Sequence, residues 1–154
     1  MNLEIGGERK RDGWVVLNAG AEYNVDIIAA VPPLPKYVTE RQWDEIEAIH
    51  LVEHVYLWQA VELVKQVYWC LAPGGRFSVE LPDISYCARV FLGLMDPPRG
   101  ASGQFDMWGF YGDPNHKNPL YMHKWGYTPK TLTDLFVESG FKRELVFMAQ
   151  AQSH

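Results

Sequence analysis

Residues Trp43–Ile84, WDEIEAIHLVEHVYLWQAVELVKQVYWCLAPGGRFSVELPDI, decide the fold. They read as strand, helix and strand, one complete βαβ unit. Leu57, Val61, Val64, Tyr68 and Leu71 recur at intervals of three and four and predict one apolar helical stripe. Pro73-Gly74-Gly75 is expected to stop that helix, because Gly takes the left-handed conformation and Pro cannot continue the hydrogen-bond ladder. Phe77, Val79 and Leu81 then alternate with polar residues, as in a strand with one buried face. Ile46, Ala48 and Ile49 make the preceding strand, and His50, Glu53 and His54 cluster where it ends. Ligands of open α/β sheets bind beyond the carboxyl ends of the strands, so the order of elements places the chemistry there.

Working outward, Met1–Ile5 reads as a strand that ends at Gly6-Gly7, and Trp14–Leu17 as a second that ends at Asn18-Ala19-Gly20. About eight residues separate them, too few for a full crossover helix. Val25–Val31 predicts a third strand, ended by Pro32-Pro33-Leu34-Pro35. Ser85–Met95 predicts a helix with Tyr86, Val90, Phe91 and Leu94 on one side. Residues 96–127 are rich in Gly, Pro, Asn and aromatics and read as one long loop or lid, a length more often functional than idle. Thr128-Pro129 is a helix start, Leu132, Leu135 and Phe136 its apolar face, Gly140 its end, and Phe141–Gln150 a final strand.

The expectation is one compact α/β domain over residues 1–154, a mostly parallel open sheet with helices on both faces. A net charge of −5 argues against a dedicated nucleic-acid partner. Cys70 and Cys87 without a CxxC read as reduced thiols, and no apolar run is long enough to span a bilayer. A cytoplasmic protein without a membrane partner is the default expectation.

LEIGG, GW before the second strand, VDI, HLVEH, LAPGGRFSVELPD and the later HKWGYTP and SGF together carry a resemblance. In this order and spacing they resemble the small class I, Rossmann-like methyltransferases that use S-adenosylmethionine. The resemblance implies methyl transfer to an O or N nucleophile of a small molecule or glycan precursor. It places the cofactor over the first strands, at Gly6, Gly7, Asn18, Asp26 and His50. Glycines there let the backbone approach a ligand closely. A dinucleotide would need a third glycine and a helix opening onto pyrophosphate, and both are missing. Asp83, Tyr86 and Trp125 are the expected acceptor contacts, and His123 the candidate general base. His116 reads as a surface residue of the loop. The family often works in pairs, so a homodimer is within expectation.

The chain departs from the family at Asn18, where an acid usually meets the ribose, and at Ala29-Ala30, where another often lies near the adenine. Glu22 and Asp26 are the nearby acids. These departures suit a second reading, a degenerate scaffold that binds or assembles without turnover. A third follows from His50-x-x-Glu53-His54, which is also the inverted zinc-peptidase motif. On one helical turn the two histidines would share a face, with Glu53 as base and Glu138 or Glu144 as third ligand. On the methyltransferase reading the site has no metal, and His50 lines the cofactor pocket while Glu53 and His54 begin the helix. Gly7→Val is then expected to abolish cofactor binding and spare the fold.

Overall fold

The computed structural model describes residues 1–98 and 105–149. Five strands form one parallel sheet, β1 (Asn2–Ile5), β2 (Trp14–Asn18), β3 (Ile27–Ile28), β4 (Trp43–Ile49) and β5 (Leu71–Glu80), in the order β3-β2-β1-β4-β5. The helices are α1 (Lys36–Thr39), α2 (Leu57–Cys70), α3 (Ile84–Phe91), α4 (Phe105–Tyr111) and α5 (Pro129–Glu138). This is the Rossmann-like α/β class read from the sequence. The chain runs outward from β1 to β3 and then restarts at β4 on the other side. The switch point therefore lies between β1 and β4, where such sheets bind ligands.

Alternation sets the two faces. Leu3, Ile5, Ile46 and Ala48 are fully buried toward the helices. Glu4, Glu45 and Glu47 point the other way, and in register Glu4 lies beside Glu47. Arg11, from the β1–β2 connection, offsets that like-charge pair, with Nη1 2.7 Å from Glu47 and 3.7 Å from Glu4. Two continuous cores form on the helix side. One joins Leu3, Ile5, Leu17, Trp43 and Ile46 to Leu63 and Val67 of α2. The other joins Ala48 and Val52 to Ala60 and Val64 of α2 and to Leu132, Leu135 and Phe136 of α5.

Several expectations are corrected. The buried stripe of α2 is Ala60, Leu63, Val64, Val67 and Cys70, while Leu57 and Tyr68 are exposed. This helix holds two apolar registers of equal spacing, and the one without bulky aromatics faces the sheet. Pro73-Gly74-Gly75 does not cap α2, which already ends at Cys70. It forms an irregularity inside β5, between the pairs Trp43↔Leu71 and Glu45↔Arg76. Gly74 is left-handed there, and a Cβ on Gly75 would meet the carbonyls of Ala72 and Trp43 at 2.9 Å.

The third strand shrinks to Ile27–Ile28, because the Asp26 carboxylate takes the Val16 N–H at 3.0 Å. The helix expected to Met95 stops at Phe91, where Leu92 and left-handed Gly93 turn the chain, so Phe91 and Leu94 are exposed. The region read as one loop contains α4, packed on α3 where Cys87 meets Gly109, and a 3-10 turn at Pro119–Tyr121. Its residues 99–104 lie outside the described residues. The final strand is replaced by a 3-10 turn at Arg143–Leu145, and the chain on either side packs Phe141 and Val146 against the core that includes α5. Gln150 lies outside the described residues. The Thr128 cap, the buried face of α5 and left-handed Gly140 are as expected.

Among the described residues, no helix is long and apolar enough to cross a membrane.

Candidate functional site

Beyond the carboxyl ends of β1, β2 and β4 lies a cleft lined by Gly6, Asn18, Ala29, Ala30, Val31, His50, Leu51, His54, Leu120 and Tyr121, among others. Its walls are mostly apolar. Gly6 carries a φ of 93°, and a Cβ there would sit 3.3 Å from the Leu51 side chain. Leu120 and Tyr121 come from the distant 3-10 turn. The Tyr121 hydroxyl meets that of Tyr23 and donates to Glu22 at 3.2 Å, which holds this turn over the cleft. Burial first, then Tyr23, pushes the Tyr121 phenol upward.

Asn18 does not offer its side chain to the cleft. Nδ2 donates to the carbonyls of Gly6 at 3.1 Å and Gly7 at 2.9 Å, and Oδ1 accepts from Gly20 N–H at 2.9 Å. Two carbonyls require a donor, so an amide suits this position and a carboxylate does not. Gly7 and Asp26 are absent from the cleft's lining. A Cβ on Gly7 would strike Val16 Cγ1 and Glu4 Oε1 at 2.7 Å, so this glycine permits close packing on the charged face of the sheet. Asp26 brackets β2 through Val16 and pairs with Lys10 at 3.4 Å. The Val16 N–H, followed by Lys10, holds its carboxyl below the usual range.

His50 lines the cleft in a left-handed conformation, φ 49°. Its Nδ1 lies 3.4 Å from Glu53 Oε1 and its Nε2 3.6 Å from Glu80. Glu53 foremost, with a smaller part from Glu80, raises the imidazole above its ordinary 6.5 against the effect of burial. His50 and His54 do not share a helical turn, since only Val52–His54 form a short 3-10 turn. Glu138 and Glu144 are exposed on other elements.

Glu53 is the anomaly of this region. It is 2% exposed, and neither carboxylate oxygen receives a hydrogen bond, the His50 approach being out of alignment. Its backbone carbonyl accepts from Lys124 N–H at 2.7 Å, and Tyr127 O accepts from Ile84 N–H at 2.9 Å. These bonds clamp the 122–127 segment against the ends of β4 and β5 and bring His123 to His54, ring centroids 4.8 Å apart. One ligand atom from each of Glu53, His54 and His123 lies within 4.8 Å of the others. The Tyr127 hydroxyl is also buried without a hydrogen bond, its phenol pushed up to about 12 by burial and then by Glu53.

The acceptor-side residues are scattered. His123 lines a second cavity with Pro82, Cys87, Trp108, Gly109, Gly112 and Asp113. Its Nδ1 lies 2.9 Å from Gly109 O, and a carbonyl can only accept, so Nδ1 is the donor there. Asp83 caps α3 through Ser85, Tyr86 donates to Asp96 O at 2.9 Å, and Trp125 lines neither cavity. Of the residues named from the sequence, Gly6, Asn18 and His50 line the cleft, while Leu120, Tyr121 and the Glu53–His123 approach were not anticipated. The HKWGYTP motif was the available signal.

No protein-family model matches this chain, and neither a curated protein nor a solved structure matches it.

Proposed function

We propose that the chain is an S-adenosylmethionine-dependent methyltransferase acting on an O or N nucleophile of a small molecule or glycan precursor. One observation carries this reading: the apolar cleft lies at the switch point of the parallel sheet, opened by left-handed Gly6. The lining fits the cofactor. Ala29, Ala30, Val31 and Leu51 offer an apolar bed for an adenine, and Gly6 has no side chain to obstruct the amino-acid end. When bound, the sulfonium supplies an activated methyl group. Asn18 holds the Gly6-Gly7 loop in place through its two carbonyl contacts. Positioning supplies most of the rate.

A second reading, binding without turnover, is favoured by the Asn18 amide being fully engaged and by the lack of a carboxylate among the cleft's lining residues. Methyl transfer to an acceptor library separates the two. A thermal shift with S-adenosylhomocysteine tests the pocket that methyl transfer requires. Ligand a hundredfold above its Kd stabilises by about 2.7 kcal/mol, a readable rise in Tm. An unmoved Tm at millimolar ligand counts against methyl transfer and leaves the degenerate scaffold.

A further inference from the structure

Burying a carboxylate is costly unless another charge or several donors compensate it. At Glu53 that compensation is incomplete, since His50 approaches Oε1 at 3.4 Å and Oε2 has no donor. Two imidazoles stand in the same place. The Nδ1 of His54 faces Met122 O at 3.3 Å, and that of His123 faces Gly109 O at 2.9 Å. Both partners are carbonyls, so both rings carry their proton on Nδ1, and Nε2 is the nitrogen with a lone pair to give. Backbone carbonyls behind metal-binding histidines orient the rings in this way.

We propose that Glu53, His54 and His123 form a binding site for a divalent metal ion of the zinc class, through one carboxylate oxygen and two imidazole nitrogens. The donor set excludes Ca²⁺ and Mg²⁺ as preferred occupants, because those ions take oxygen ligands almost exclusively. Two nitrogens and one carboxylate suit Zn²⁺ and leave its fourth position open to water or a substrate oxygen. Placement gives the site a purpose. His54 lines the cofactor cleft and His123 the second cavity, so the ion stands in the wall between them. It also ties the 122–127 segment to the end of β4. The ligands differ from those of the HxxEH reading, since His123 takes the place of His50, which pairs with Glu53 and Glu80. The inference does not rest on the methyl-transfer reading.

The test is calorimetric titration of chelator-treated full-length protein with ZnCl₂, without S-adenosylmethionine, together with Tm and far-ultraviolet circular dichroism. Glu53→Gln and His123→Gln are the ligand variants, on two separate segments, and His116→Ala is the nearby control. One Zn²⁺ per chain and a higher Tm are expected. Each ligand variant should weaken binding by more than about tenfold, since even outer-shell changes cost that much, and the control should bind normally. Far-ultraviolet circular dichroism should show both ligand variants folded, so that lost uptake reads as lost ligation. Co²⁺ in place of Zn²⁺ should show the visible absorption of a four-coordinate site. No saturable uptake by folded wild type, or uptake that survives both ligand substitutions, overturns the proposal.

Discussion

Asn18 holds Gly7 in place: its Nδ2 donates to the Gly7 carbonyl at 2.9 Å and to the neighbouring Gly6 carbonyl at 3.1 Å. The amide thus shapes the floor of the cleft from behind. Asn18→Asp would set a carboxylate against two carbonyls. We expect a loss of about 1–3 kcal/mol, the usual cost of leaving partly buried polar groups unsatisfied. Urea unfolding reads it as a lower midpoint at unchanged m. A midpoint equal to wild type would show that the clamp is dispensable.

Gly7→Val changes meaning with the structure. The sequence reading expects it to block the cofactor and spare the fold, yet a Cβ at this position meets Val16 and Glu4 at 2.7 Å, away from the cleft. Overpacking of this kind costs about 1–3 kcal/mol. Thermal unfolding should therefore show a lower Tm without any ligand present. A variant with wild-type Tm that fails only in ligand binding would restore the earlier view.

Asp26 ties stability to acid pH. Its folded pKa lies below the ordinary 3.8 because the Val16 N–H, and then Lys10, favour the charged form. The associated stability is present above 3.8 and is lost as pH falls through the lower folded value. Unfolding midpoints of wild type and Asp26→Asn, compared from pH 6 down to pH 2.5, should begin to converge as pH drops below 3.8 and meet below the lower folded value. A gap that stays constant across that range contradicts the assignment.

The start of α5 is closed by reciprocal bonds, Thr131 N–H to Thr128 Oγ1 at 3.2 Å and Thr128 N–H to Thr131 Oγ1 at 2.9 Å. Thr128→Ala should cost about 1 kcal/mol. Chemical denaturation measures it, and hydrogen exchange should place the loss in the first turn of α5. No change in either would mean that packing of Leu132 and Phe136 alone fixes this end.

The βαβ unit was legible because its helix and strands each carry one period, and the chain order then fixed where the cleft lies. The face of α2 was not, because Leu57/Val61/Val64/Tyr68 and Ala60/Val64/Val67 satisfy the same spacing. Only packing against Ala48 and Ile46 chooses between them. The last strand failed for a related reason: the apolar residues of Phe141–Gln150 suit an extended pairing, but Phe141 and Val146 pack against the core that includes α5 instead. At the site, Gly6, Asn18 and His50 do line the cleft, whereas Gly7, Asp26 and Asp83, also named at strand ends, serve packing and caps. His123 was named as a candidate base, but its approach to Glu53 and His54, and the place of Leu120 and Tyr121 over the cleft, were not legible, since contacts across so long a separation leave no local pattern. Asn18 was noticed as a departure, and its reason emerged only from the two carbonyls it serves.

The central claim is that the cleft at the switch point accepts S-adenosylmethionine, and calorimetry on two proteins tests it most directly. Wild type and Ala30→Phe, whose new ring would fill the cleft from an exposed position, are titrated with S-adenosylmethionine and S-adenosylhomocysteine. We expect saturable micromolar binding to the wild type, and a loss of more than about tenfold (over 1.4 kcal/mol) in the variant at unchanged Tm. Absence of binding by the folded wild type, or equal binding by both proteins, would contradict the account.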